Sequence, residues 1–366
     1  MAIGFPVKDN YVTGEVLTAA NMNDLSGTVN TLSGATSKNY LINGGFAVAQ
    51  RGTSFTSTNS ANNDDAYTLD RWYILSDGND IIDVTQDTTT VPTNGEFAIA
   101  LDVETVNKKF GIATIIENKD VIGLVGNTVN FSFKAKVSAT TKLDNVKAAI
   151  VAWSGTADTV TSDIISAWGA EGTNPTLIAN ATYENTPVNL NLTTSYATYS
   201  VSAAVDTAST QNLILFIWSD VTDTTLGDFL YIAEAKLGLG SVATSFVYAG
   251  GTIQGELAAC QRYYQRLNYP VIYGVGEVRN ATSATIVRTF PVTMRTAPTA
   301  SAQAAAQYSI GSAAKSQTAT AYTIAGLDVN GCYIGFTVSG FTGGQACFVF
   351  SDSGYGNSYT EFSAEL

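Results

Sequence analysis

Carboxylates are the most numerous groups in this chain that could do chemistry. Asp64 with Asp65, or Asp77 with Asp80, could act as general acid and base in glycoside hydrolysis, or could offer oxygen ligands to calcium. Each pair lies in an Asn-, Ser- and Gly-rich loop, with no apolar setting to drive two pKa values apart and no ordered calcium-loop spacing. They read as turn formers. No histidine occurs in the 366 residues, which excludes Ser-His-Asp and Cys-His catalysis and removes the commonest transition-metal ligand. Cys260, Cys332 and Cys347 are too few and too scattered for a zinc site or a disulfide framework; Cys332 and Cys347 read as small buried thiols, with a pair across neighbouring strands as the alternative. GGFAVAQRG and GDFLYIAEAKLGLG contain glycines, but neither leads into a helix with the Lys-Ser/Thr of a phosphate-cradling loop. No enzyme activity, cofactor or metal is expected.

Polar aromatic residues are more suggestive. Tyr355, Asn357 and Tyr359 lie in SDSGYGNSYT, a run too polar for a core. Tyrosine faces pack against the apolar faces of sugars, while Asn and Ser bond sugar hydroxyls. These three are the candidate ligand-binding residues, with a glycan as the ligand that suits them. Trp72, beside Arg71, offers the same chemistry but reads first as a core residue.

The elements that must position these residues are strands. Hydrophobic residues make up 45% of the chain and charged ones only 13%, so Thr, Ser, Asn and Gly must cover the surface. β-Branched Thr and Val suit pleated strands, and Gly and Asn suit turns. In TVNFSFKAKV, period two sets Val129, Phe131, Phe133, Ala135 and Val137 inward and Asn130, Ser132, Lys134 and Lys136 toward water. GEFAIALDV places Phe97, Ile99, Leu101 and Val103 on one face, and VKAAIVAW, LILFIW and DFLYIAEAKL supply further strands. GCYIGFTVSG sets Cys332, Ile334, Phe336 and Val338 inward. Without amphipathic helices between them, such strands predict an all-β fold: a jelly-roll-like β-sandwich over 39–249 and a smaller β-sandwich over 269–366.

Short helices are expected before and between the sandwiches. Residues 1–38 form an attachment or oligomerisation region in which Met22, Leu25, Val29 and Leu32 are spaced like a heptad seam. Residues 250–268 form a linking helix whose stripe, Leu257, Cys260, Tyr264 and Leu267, has the same spacing. That stripe suits either a seam against sister chains or packing on its own sandwich. A net charge of −13 argues against nucleic acid, LILFIW is too short to cross a bilayer, and MAIGFPVKDN shows no secretory signal, so synthesis in a cytoplasm is expected.

Several motifs together resemble bacteriophage tail-fibre and virion appendage proteins. Their sandwich domain opens on an N-G-x-F, Q-R-G, Y-x-x-D-R-W series, carried here by Asn43, Gly44, Phe46, Gln50, Arg51, Gly52, Tyr67, Asp70, Arg71 and Trp72. It closes on GSVATSF at 240–246, with Ser245 where Pro is usual, followed by Glu256, Leu257 and CQRYY at 260–264. FPVTMRTAPTA at 290–300, the terminal EFSAEL and the early VLTAANMND are also similar to family elements. The resemblance implies a virion structural protein: a homotrimer attached to other virion proteins by its N-terminal region, with β domains facing a host-surface glycan or receptor. A capsid fibre or tail connector without receptor contact is the alternative.

Overall fold

A computed structural model describes residues 38–312, 315–352, 354 and 359–366 of the chain. The expected seam of Met22, Leu25, Val29 and Leu32, and the candidates Tyr355 and Asn357, lie outside the described residues. The fold is all-β, as the composition predicts.

In chain order the first strands are β1 (Ser54–Phe55), β2 (Tyr73–Ser76), β3 (Ile82–Asp87), β4 (Ala98–Val103), β5 (Phe110–Ile116), β6 (Thr128–Val137) and β7 (Val146–Trp153). A short hairpin, β8 (Ile165–Ala167) with β9 (Thr176–Leu177), precedes β10 (Ala181–Tyr183), β11 (Ala197–Ala204), β12 (Asn212–Ser219) and β13 (Phe229–Leu239). They build a six-stranded sheet ordered β1-β3-β4-β13-β6-β11 and a five-stranded sheet ordered β10-β7-β12-β5-β2. One core lies between the sheets, where Ile99, Leu101, Val129, Phe131 and Phe133 meet Ile74, Ile150, Leu213, Leu215 and Ile217. Trp72 is fully buried in that core.

β12 explains its own unbroken apolar run. Leu213, Leu215 and Ile217 face the inter-sheet core, while Ile214, Phe216 and Trp218 face a second cluster with Trp153, Ile164 and Trp168. A strand covered on both faces needs no polar alternation. β6 alternates as expected on its inner face, but its outer face is only partly wet. Asn130 and Ser132, expected to face water, are buried.

The second sandwich comprises β14 (Tyr264–Asn268), β15 (Ile272–Asn280), β16 (Ser283–Thr289), β17 (Thr299–Ala302) and β18 (Tyr308–Ser312). It continues with β19 (Lys315–Thr318), β20 (Ala321–Ala325), β21 (Gly331–Thr337), β22 (Gln345–Ser351) and β23 (Tyr359–Ser363). A three-stranded sheet, β14-β23-β17, packs on a seven-stranded sheet, β19-β18-β22-β15-β16-β21-β20. Cys332, Ile334, Phe336 and Val338 all join its core, and Cys332 and Cys347 are buried free thiols.

The segment between the sandwiches departs from expectation. Its helix covers only Ile253–Gln261, capped by Thr252, whose hydroxyl oxygen accepts from the Gly255 N–H at 3.1 Å. Tyr264 and Leu267 belong instead to β14, which pairs antiparallel with β23. No continuous helical stripe through Leu257, Cys260, Tyr264 and Leu267 exists. Cys260 and Tyr264 are buried within the chain, Leu267 packs on the second core, and Leu257 is 38% exposed. The helix stops because β23 provides a ladder for the Tyr-rich segment, and that partner lies almost a hundred residues away in sequence.

Candidate functional site

The motif residues converge on one buried joint between the two sandwiches. Both carboxylate oxygens of Asp70 are held by Gln50, one by its backbone N–H and one by its side chain, each at 2.6 Å. Gln50 also donates to the Tyr264 carbonyl at 2.8 Å. Arg71 and Arg51, from the first sandwich, both pair with Glu365 at the end of the chain. Their guanidinium planes stack on consecutive tyrosines, Arg71 at 3.7 Å from the Tyr263 ring and Arg51 at 3.6 Å from that of Tyr264. Burial pulls the Arg71 pKa down, but Glu365 outweighs it and holds the group charged.

Two further links extend the joint. Arg262 donates twice to Glu117, at 2.6 and 3.0 Å, and the Tyr263 hydroxyl donates to the same carboxylate at 2.6 Å. Burial pushes the Glu117 pKa up, yet these donors prevail and leave it below the usual range. Glu256, fully buried, accepts from the backbone N–H groups of Asn43 and Gly250. The joint therefore consumes the polar groups of nearly every motif residue in internal bonds, and its chemistry is structural.

Tyr359 also belongs to this region. It lies on β23 opposite Asn268, with the Arg266 guanidinium 3.6 Å from its ring centre. One face of its ring is thus taken by arginine.

A different place has the geometry of a binding site. The outer face of the six-stranded sheet floors a groove of about 590 Å³ lined by Ser132, Lys134, Thr198 and Glu234, and walled by Thr93, Asn94 and Ala243–Phe246. Its centre is a half-buried ion pair, with Lys134 donating to both Glu234 oxygens at 2.8 and 2.9 Å. Glu234 sits at a β-bulge, where the β13–β6 register slips between Ala233 and Lys236, and its φ is +49°. A left-handed glutamate costs about 1–3 kcal/mol, and a bulge re-aims a side chain that alternation would send elsewhere.

The N-G-x-F turn holds this bulge in place. The Ala235 N–H donates to the Gly44 carbonyl at 2.7 Å. A Cβ on Gly44 would lie 1.9 Å from the Ala235 carbonyl oxygen, so only glycine allows the approach. The rings of Phe246 and Tyr248 pack edge-on at 5.3 Å, and both close over Gly45. The motif turn thus supports the groove from beneath.

Lys134 was expected on the wet face of β6, and the structure puts it there; the groove around it was not expected. One signal was available. In DFLYIAEAKL, strict alternation after Leu230 and Ile232 would bury an acid at Glu234, and a bulge resolves that conflict. The Asp64 carboxylate accepts from the Ser76 N–H at 2.7 Å, tying its loop to the end of β2. Among the described residues, no group of three or more Cys, Asp or Glu side chains is arranged to hold a metal.

No family model matches the sequence, and no curated protein matches it. Among solved structures, the enzymatically active domain of tailspike protein 4 from bacteriophage CBA120 is similar over 55% of this chain, at 15% identity and a TM-score of 0.33. The match spans 21% of that tailspike chain. A putative sugar binding protein from Bacteroides thetaiotaomicron is similar over 56% of this chain and 100% of its own, at 14% identity and a TM-score of 0.35. The CBM22-1 xylan-binding domain from Paenibacillus barcinonensis is similar over 50% of this chain and 94% of its own, at 12% identity and a TM-score of 0.30. At these scores the β-sandwich assignment rests on the sheets described above.

Proposed function

We propose that this chain is a bacteriophage virion structural protein, a trimeric fibre attached through its N-terminal region, whose first sandwich binds a host-surface glycan without cleaving it. The motif series supports the virion assignment. The observation that carries glycan binding is Glu234: a charged residue kept in a left-handed conformation at a bulge, presenting its carboxylate with Lys134, Ser132 and Thr198 in an open groove. Fixed donors and acceptors of this kind match a ring of sugar hydroxyls, and Phe246 at the rim offers an apolar face.

The test uses the full chain and lipopolysaccharide or capsular polysaccharide purified from bacteria the phage infects. Binding to one of these, and competition with phage for adsorption, is the expected result. Lys134→Ala should weaken that binding at least tenfold, since a charge-assisted hydrogen bond contributes about 1.5–3 kcal/mol. Absence of binding to every polysaccharide, with the chain located on the capsid or inside the tail, would favour a capsid fibre or tail connector instead. Release of reducing sugar would replace binding by hydrolysis.

A further inference from the structure

The seven-stranded sheet of the second sandwich has one face on its core and one face that none of the described residues covers. On the uncovered face Val275 is 73% exposed, Ile272 and Val287 67%, Phe348 49% and Tyr333 45%. These side chains are contiguous. Phe348 pairs with Val275, and Val287 pairs with Tyr333. Gly276 pairs with Ile286, so one residue further Val275 and Val287 lie side by side. The row across β22, β15, β16 and β21 therefore reads Phe–Val–Val–Tyr. Phe350, stacked at 5.4 Å on Phe348, and its partner Ile272 add a second row.

The face is also flat. A Cβ on Gly311 would come within 2.6 Å of the Phe348 ring, and one on Gly326 within 2.8 Å of the Tyr333 ring. The two aromatic rings therefore lie down over glycines. Monomers rarely expose an apolar face this continuous.

We propose that this face is the contact between copies of this chain in the fibre, a surface that rests on the trimer reading given above. Three properties select a second copy as the occupant. The Phe348–Val275 half of the row matches the Val287–Tyr333 half of the next copy, large against large and small against small, a heterologous contact of the kind that can close a ring. Seven strands about 4.8 Å apart and roughly seven residues long present on the order of 700 Å², close to the ~800 Å² per partner of a stable interface. The charges nearby, Glu277 and Arg279, pair with each other at 3.6 Å, so they add no net charge where copies that each carry −13 would meet. A glycan is a poor occupant, because only Tyr333 offers a hydrogen-bonding side chain in the Phe–Val–Val–Tyr row.

The experiment compares the full chain with its Val275→Lys/Val287→Lys variant by sedimentation at micromolar concentration. Both positions point outward, and circular dichroism checks that the variant is folded. The expected result is a wild-type trimer and a variant that falls to one chain, 38.5 kDa. A variant that keeps the trimeric mass overturns this face and leaves the trimer reading intact. A wild-type monomer overturns both, whereas a wild-type dimer split by the variant supports the face and overturns the trimer. Independently of folding, mixed Val275→Cys and Val287→Cys chains should cross-link to each other, since the three native cysteines are buried. Failure of that cross-link in an intact oligomer also overturns the face.

Discussion

Glu234 and Asp65 show how single residues here trade stability for placement. Glycine relieves the left-handed strain at position 234 while losing a partly exposed ion pair of about 0.2–1 kcal/mol. Glu234→Gly should therefore melt at or slightly above the wild-type temperature, yet lose polysaccharide binding; a variant that binds normally removes Glu234 from the site. Asp65 carries a different strain. Burial, followed by repulsion from Asp64 and Asp163, pushes its pKa up to about 7. Burial also raises Asp102, with Glu104 and its cross-strand neighbour Asp83 adding to it, to about 6. In both cases the folded state holds the proton more tightly than the unfolded chain. Their contribution is thus full below about pH 4 and declines as pH rises through 6 to 7. Glu117, held below its usual range, acts in the opposite sense and weakens the joint on acidification. Denaturant melts between pH 4 and pH 8 should show Asp65→Asn with a flatter decline than wild type and greater stability at pH 8. An unchanged slope would mean that Asp65 is already ionised in the fold.

At the level of elements, legibility followed the range of the interactions. β6, β12 and β21 were readable because period two, or its absence under two-sided burial, is written within ten residues. The linking helix was readable near its start, expected at residue 250 and observed from Ile253. Its end was not, because the ladder that captures Tyr264–Asn268 comes from β23. Apart from the misplaced acid at Glu234, the groove was illegible for the same reason: β6, β11, β13 and the 243–246 segment meet only in the fold. The arginine over one face of the Tyr359 ring was not visible either, because Arg266 lies on β14, far from Tyr359 in sequence. The short helix itself depends on its cap. Thr252→Ala should cost about 1 kcal/mol, and the loss should loosen Glu256, whose carboxylate ties Gly250 and Asn43 to the helix. Hydrogen exchange would report it as faster exchange at Gly250 and Asn43, while an effect confined to the helix would separate the cap from the joint.

The described residues form two sandwiches locked together by residues 364–366. Leu366 packs in the cluster beyond the five-stranded sheet, the Tyr67 hydroxyl donates to its backbone oxygen at 2.8 Å, and Glu365 pairs with both Arg51 and Arg71. Arg295 of the second sandwich holds the same tail through the Ala364 and Glu365 carbonyls, at 2.8 and 2.9 Å. The tail is thus bonded to both halves, and neither half satisfies its buried charges alone. Glu365→Ala would leave two guanidiniums buried without their carboxylate, a loss of about 3–5 kcal/mol for a broken buried pair. Because that energy is shared between the sandwiches, it also sets their cooperativity. Calorimetry of the wild type should give one transition, and Glu365→Ala should split it into two as the halves melt apart. A single transition at lower temperature in the variant would mean that the tyrosine stacks and the Glu117–Arg262 link suffice to couple the two. In that case the tail stabilises the joint without controlling how the molecule comes apart.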